Sequence, residues 1–141
     1  MNSTKVPHDE QILVVEDHHD SAELLQMILE DEGYRVHCVE TGRDALQVLT
    51  PPSSSQSSGF HPDLILLDLR LPDMNGAEVV KELKKNQTEV PPVIILSADS
   101  PKSLKMAASS VGAVAIRKPF EFDNLFQEIE IALDKRRRSD Q

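Results

Sequence analysis

Residues 64–67 read Leu-Ile-Leu-Leu, an apolar run without alternation that stops on Asp68. A strand wet on one face would alternate apolar and polar side chains. A strand without alternation suits burial on both faces, as in a parallel sheet between helices. Other short runs have the same form: Ile12–Val15 stops on Glu16-Asp17, Val93–Leu96 on Ser97, and Ala113–Ile116 on Arg117-Lys118. Arg35–Val39 reads as one more strand. Between these runs, apolar residues recur at helical spacing in Ala22–Leu29, Ala45–Leu49, Ala77–Lys85, Pro101–Ala108 and Asp123–Arg137. Five strand–helix pairs in alternation predict an α/β domain with a parallel sheet, right-handed crossovers and helices on both faces. All strand C-termini then share one edge, so Glu16, Asp17, Asp68, Ser97 and Lys118 converge there.

Local signals refine this outline. His18-His19-Asp20-Ser21 offers N-cap chemistry to the first helix, whose Ala22, Leu24, Leu25, Met27, Ile28 and Leu29 predict a wide apolar face. Gly33 is placed to end that helix. Thr41 and Asp44 have the spacing of a capping box. Pro72 and Asn75-Gly76 mark a turn between Asp68 and the next helix. The serine-rich stretch 50–59 predicts an extended surface loop. Residues 1–10 are expected to form a loose arm, 11–135 the domain, and 136–141 a basic tail. The cationic run Lys135–Arg138 is expected to complement the helix dipole and stay solvated.

The chain has 141 residues, enough for one core, and a single cysteine, Cys38, which excludes an internal disulfide framework. Cys38 lies in a strand and reads as an inert, buried thiol. No leader and no membrane-spanning run is visible, so a cytoplasmic protein is expected. A net charge of −9 and the absence of tryptophan argue against a nucleic-acid or membrane partner for the domain.

Three carboxylates, a hydroxyl and a lysine at one edge are equipment for phosphoryl transfer, where catalysis is mostly positioning and charge neutralisation. Like charges repel in one pocket, so the acids need a cation. Oxygen donors without histidine or cysteine favour a hard ion, and Mg²⁺ fits best. A carboxylate can itself be the nucleophile. Adjacent His18 and His19 could serve as metal ligands, but at a helix start they read as solvated.

The motifs Val-Val-Glu16-Asp17, Leu-Leu-Asp68-Leu-Arg-Leu-Pro72-Asp-Met-Asn-Gly76, Ile-Leu-Ser97-Ala98 and Lys118-Pro119-Phe120 together resemble the receiver domain of two-component response regulators, over about Gln11 to Leu133. The resemblance implies a flavodoxin-like doubly wound sheet of order 2-1-3-4-5 with five helices. It implies that Asp68 takes a phosphoryl group from a sensor histidine kinase or a histidine phosphotransfer protein, as in a phosphorelay. Asp17, Asp68 and the Arg70 backbone carbonyl would hold Mg²⁺, with Glu16 acting through water. Ser97 and Lys118 would contact the phosphoryl group, and the Lys118–Pro119 peptide would be cis. A signalling domain is thus expected, not a turnover enzyme. Its partner would be a downstream protein or a second copy, met through the fourth helix, fifth strand and last helix. The few residues after that helix lead us to expect a stand-alone regulator.

The sequence departs from the family at several points. Glu16 stands where aspartate is commoner. Ala115 occupies the switch position usually held by Tyr or Phe, and the Gly112–Lys118 segment is one residue short. The alternative these departures raise is a degenerate receiver that binds a partner without phosphorylation. An aspartyl-nucleophile phosphatase would need an acid where Arg70 stands, and a nucleotide-binding flavodoxin-like protein would not place Glu16-Asp17 where phosphate must sit.

Overall fold

The computed structural model describes residues 9–50, 60–86 and 89–139. Strands and helices alternate as β1 (Gln11–Val15), α1 (His19–Asp31), β2 (Arg35–Val39), α2 (Gly42–Leu49), β3 (Leu64–Asp68), α3 (Gly76–Asn86), β4 (Val93–Ser97), α4 (Pro101–Val111), β5 (Val114–Arg117) and α5 (Phe122–Ser139). The strands form one parallel sheet of order β2-β1-β3-β4-β5, as the motifs imply.

The pleat explains the absence of alternation. Leu13, Val15, Ile65, Leu67 and Ile95 point to one face, where Ala45, Leu49, Val79, Val80, Leu83, Leu104 and Ala108 of α2, α3 and α4 cover them. Ile12, Val14, Leu64, Leu66, Ile94 and Leu96 point to the other, against Leu25 and Leu29 of α1 and Leu125, Ile129 and Leu133 of α5. Every residue of β3 and β4 is buried. Each such Leu or Ile contributes about 1.5–3 kcal/mol, more than any single surface ion pair. The strand ends are therefore held by the interior, and the polar groups on them are carried to the edge.

Several expectations are corrected. Leu24 and Met27 are exposed, so α1 buries a narrow stripe, not a wide face. His18 is its N-cap and makes no side-chain cap bond. α4 runs on to Val111, where Gly112 closes it at φ 69°. α5 runs through Arg137 as its spacing predicts and continues to Ser139, into the expected basic tail. Its cations are not simply solvated: Arg136 pairs with Asp63 at 2.6 Å and Arg137 with Glu10, which ties that residue of the expected arm to the domain. Cys38 is half-buried, and burial pushes its thiol up, consistent with an inert group. The serine-rich stretch and residues 1–8 lie outside the described residues, apart from Thr50.

Caps do as much as pattern at the helix ends. Thr41 Oγ1 accepts from the Asp44 amide at 3.0 Å, one half of the expected capping box. A second cap comes from afar: Asp73, in the loop after β3, accepts from the amides of Gly42 and Arg43 with its two oxygens, both at 2.9 Å. Burial opposes the Asp73 charge, but the Arg43 and Gly42 amides together with the Arg43 charge outweigh it and hold its carboxyl below the usual range. Asp73→Ala is expected to cost about 1 kcal/mol, the usual value of a lost cap, and to lower Tm by about 2–4 °C. Because the folded carboxyl is depressed, this contribution is present above the ordinary aspartate value and disappears as pH falls through the depressed one. Thermal melts of both proteins at neutral and acid pH check both statements: the gap closes in acid.

Candidate functional site

Each expected group lies at the C-terminal edge of the sheet because its strand ends there. β1 delivers Glu16 and Asp17, β3 delivers Asp68, β4 delivers Ser97, and the segment after β5 delivers Lys118. The Lys118–Pro119 peptide is cis, as expected. Glu16 and Asp68 are 2% and 7% exposed, and Ser97 is 1% exposed. Lys118 Nζ donates to Glu16 Oε1 at 3.0 Å and to Asp68 Oδ2 at 3.3 Å. The Arg70 amide donates to Asp68 Oδ1 at 3.0 Å. Ser97 Oγ accepts from the Asp99 amide at 3.0 Å.

One ammonium is thus shared by two buried carboxylates, and the share is unequal. Burial opposes the charge on Glu16, but the His18 amide, at 3.1 Å, and Lys118 outweigh it and hold the carboxyl below its usual range. Asp68 is the less compensated: burial drives it above the usual aspartate range, the Arg70 amide and Lys118 recover only part, and the Glu16 charge adds to the rise. Burial disfavours the Lys118 charge too, yet its bond to Glu16 and the charges of Asp68 and Glu16 raise it above an ordinary lysine.

The donor set fits a hard divalent cation. Ligand atoms of Glu16, Asp17, His18 and Asp68 all lie within 4.8 Å of one another. Asp17 Oδ1 is enclosed and, among the described residues, accepts no hydrogen bond, with the His18 Nδ1 3.4 Å away. A buried anionic oxygen without a donor is costly, and a cation held by carboxylates with water in its other positions meets that need. The His18 ring is solvated as expected, at 73% exposed, while its Nδ1 lies 3.2 Å from Glu16 and 3.4 Å from Asp17. His19 does stand on the surface, 3.5 Å from Glu40.

The loop that follows Asp68 is clamped. Asn75 Oδ1 accepts from the Ala77 amide at 2.7 Å and caps α3, and the Gly76 amide donates to the Leu69 carbonyl at 2.8 Å. A Cβ on Gly76 would come within 2.6 Å of the Asp68 carbonyl oxygen, so only glycine allows the approach. Sequence reasoning missed the Arg70–Asp99 ion pair beside this loop, at 2.9 Å. The partners are 29 residues apart, and no local spacing announces them.

With Asp68 above its ordinary value, its charge opposes folding. The favourable protonated state is present below the ordinary aspartate value and is lost as pH rises through the raised one. Asp68→Asn in metal-free buffer at pH 7 is therefore expected to raise Tm by about 2–4 °C. The advantage vanishes in acid, and Mg²⁺ narrows it by stabilising the parent protein. Gly76→Ala is expected to lower Tm instead, because its Cβ collides with backbone. Calorimetric melts of these variants check all of this.

A family model described as "Response regulator receiver domain" matches residues 12–130. The chain is 36% identical over 124 residues to the response regulator ArlR of Staphylococcus saprophyticus, covering 87% of this chain and 52% of the relative. It is 31% identical over 124 residues to the regulatory protein AtoC of Escherichia coli, covering 87% of this chain and 25% of that protein. The chain thus spans between a quarter and about half of the curated relatives it matches. Among solved structures, the signal receiver domain of a Luxo repressor protein from Vibrio parahaemolyticus superposes with a TM-score of 0.79 at 31% identity, over 94% of this chain and 96% of that one.

Proposed function

The chain belongs to the response regulator receiver domain family, and from that premise we propose that it accepts a phosphoryl group on Asp68 and signals by a conformational change to a partner protein. The observation that carries this reading is the state of Asp68: buried, bonded by the Arg70 amide on one oxygen, and 3.3 Å from the Lys118 ammonium on the other. The completeness of this set favours a working phosphoacceptor over a degenerate receiver.

The donor is a phosphohistidine of a sensor histidine kinase or a histidine phosphotransfer protein. An Asp68 carboxylate oxygen forms the new P–O bond, the P–N bond breaks, and its electron pair leaves with the imidazole. Lys118, already poised between Glu16 and Asp68, follows the charge onto the phosphoryl oxygens. Ser97 turns its hydroxyl toward them, gaining a charge-assisted hydrogen bond. Asp17, Asp68 and the Arg70 carbonyl would hold Mg²⁺, with Glu16 acting through water. When bound, the ion neutralises the acids and the incoming phosphoryl charge.

Output runs through the loop after β4 and through α4. Ala115 pairs in register with Ile95 and has no ring to swing. The loop instead leads directly into α4, capped by Ser100 with Pro101 in its first turn. Met106, Val114 and Ile131 are large apolar side chains left exposed on α4, β5 and α5, and they favour a protein or a second copy as the partner there. Among the described residues, no helix is long and apolar enough to cross a membrane.

Acetyl phosphate or beryllofluoride with Mg²⁺ should modify or occupy one site, and Asp68→Asn should abolish this; normal labelling of the variant would sink the assignment. Calorimetry should show Mg²⁺ binding lost in Asp17→Asn. Hydrogen exchange with and without beryllofluoride should change protection across residues 98–108. Changes that skip this stretch would contradict the route.

A further inference from the structure

One cluster beside Asp68 has no part in the function so far. Arg70 and Asp99 leave neighbouring strand ends and meet as a fork: Arg70 Nη2 donates to Asp99 Oδ2 at 2.9 Å, and Nε lies 3.2 Å from both carboxylate oxygens. Asp99 is a hub. Its amide donates to Ser97 Oγ at 3.0 Å, and its carbonyl accepts from Arg117 Nε at 3.2 Å. Arg70 therefore touches the reactive carboxylate with its backbone and Asp99 with its side chain. Asp99 in turn touches the hydroxyl expected at the phosphoryl group.

We propose that Asp99 is a positioning residue for the phosphoryl pocket, holding the Arg70 guanidinium off Asp68 at rest and yielding it to the phosphoryl group once Asp68 is modified. The proposal rests on the phosphoacceptor reading of the site. A guanidinium stays protonated whatever its partner, and its planar fork fits carboxylate and phosphate alike. Asp99 offers it one negative charge, whereas a phosphoryl group carries up to about two and presents three acceptor oxygens. The exchange therefore runs toward the phosphoryl group. The two side chains differ in freedom in the required sense: Arg70 is 73% exposed and can swing, while Asp99 is 19% exposed and stays. No covalent bond changes in this step; one ion-pair partner replaces another.

The consequence for the loop follows from the hub. Phosphorylation draws on both Arg70 and Ser97: Asp99 loses its carboxylate partner, while its amide bond to Ser97 Oγ, which can accept as its hydroxyl donates, follows the serine. The Arg117 bond to its carbonyl remains. Ser100, next in the chain, caps α4 through the Ser103 amide at 3.3 Å, so the freed loop is continuous with the helix. The state of Asp68 thereby reaches α4 with no aromatic ring at position 115.

A double-mutant cycle on beryllofluoride affinity in Mg²⁺, followed by ¹⁹F NMR, tests the exchange. Arg70→Ala should weaken binding about 3–10-fold, the loss of a partly exposed charge-assisted contact. Asp99→Ala should tighten it by a similar factor, because Arg70 is no longer held away. The double variant should match Arg70→Ala alone, and Arg70→Lys should recover only part of the loss, having the charge without the fork. Asp99→Asn repeats the cycle without emptying the position. If Asp99 served only to shape the loop, its replacement would have the same effect with and without Arg70, and that additivity overturns the proposal. Unchanged affinity in Arg70→Ala overturns it as well. A parent protein that takes no beryllofluoride overturns the phosphoacceptor reading with it, whereas Asp68-dependent binding with additive variants overturns the exchange alone.

Discussion

The site turns on one shortage: two buried carboxylates compete for one ammonium, and a third acid beside them has an enclosed oxygen that accepts no hydrogen bond among the described residues. A pocket built for stability alone would not crowd acids in this way, since an under-compensated buried charge opposes folding. The sheet absorbs that cost. The central strands are buried on both faces, and their side chains interlock with helices above and below. The strand ends cannot drift apart to relieve the repulsion, so the pocket keeps an unmet demand for positive charge. A divalent cation and a rearrangement of Lys118 would meet it, as proposed above.

Glu16 and Asp68 show how small differences in placement divide labour among like groups. Glu16 has the shorter lysine contact and the His18 amide, and stays below its usual range. Asp68 has the longer lysine contact and sits in the field of Glu16, and ends above. The acid that is least content as a carboxylate is the one proposed to change its chemical state.

The sheet and the convergence of its polar ends were legible in the chain because both follow from local rules. Unbroken apolar runs require two covered faces, and parallel strands put their ends on one edge. The narrow stripe of α1 was less legible: Met27 and Leu24 have helical spacing, but which apolar positions are covered depends on the packing of α5, which spacing does not report. The helix through Arg137 was legible, but the pairing of Arg136 with Asp63 and of Arg137 with Glu10 was not, because the partners lie far away in the chain. The Asp73 cap of α2 and the Arg70–Asp99 pair were hidden for the same reason. Sequence proximity announces a cap three residues away, as with Thr41 and Asp44, but not one that crosses from another loop.

The two loops that flank the reactive carboxylate differ in what binds them. The β3–α3 loop abuts backbone at Gly76 and is stitched to α2 through both oxygens of Asp73. The β4–α4 loop is held through Asp99 by two side chains, the exposed Arg70 guanidinium and the Ser97 hydroxyl. A push from the same point against a stiff wall and a yielding one moves only the yielding one. Directionality would then be a matter of unequal compliance: the proposed signal is directed toward α4 because the opposite side has been denied the freedom to respond.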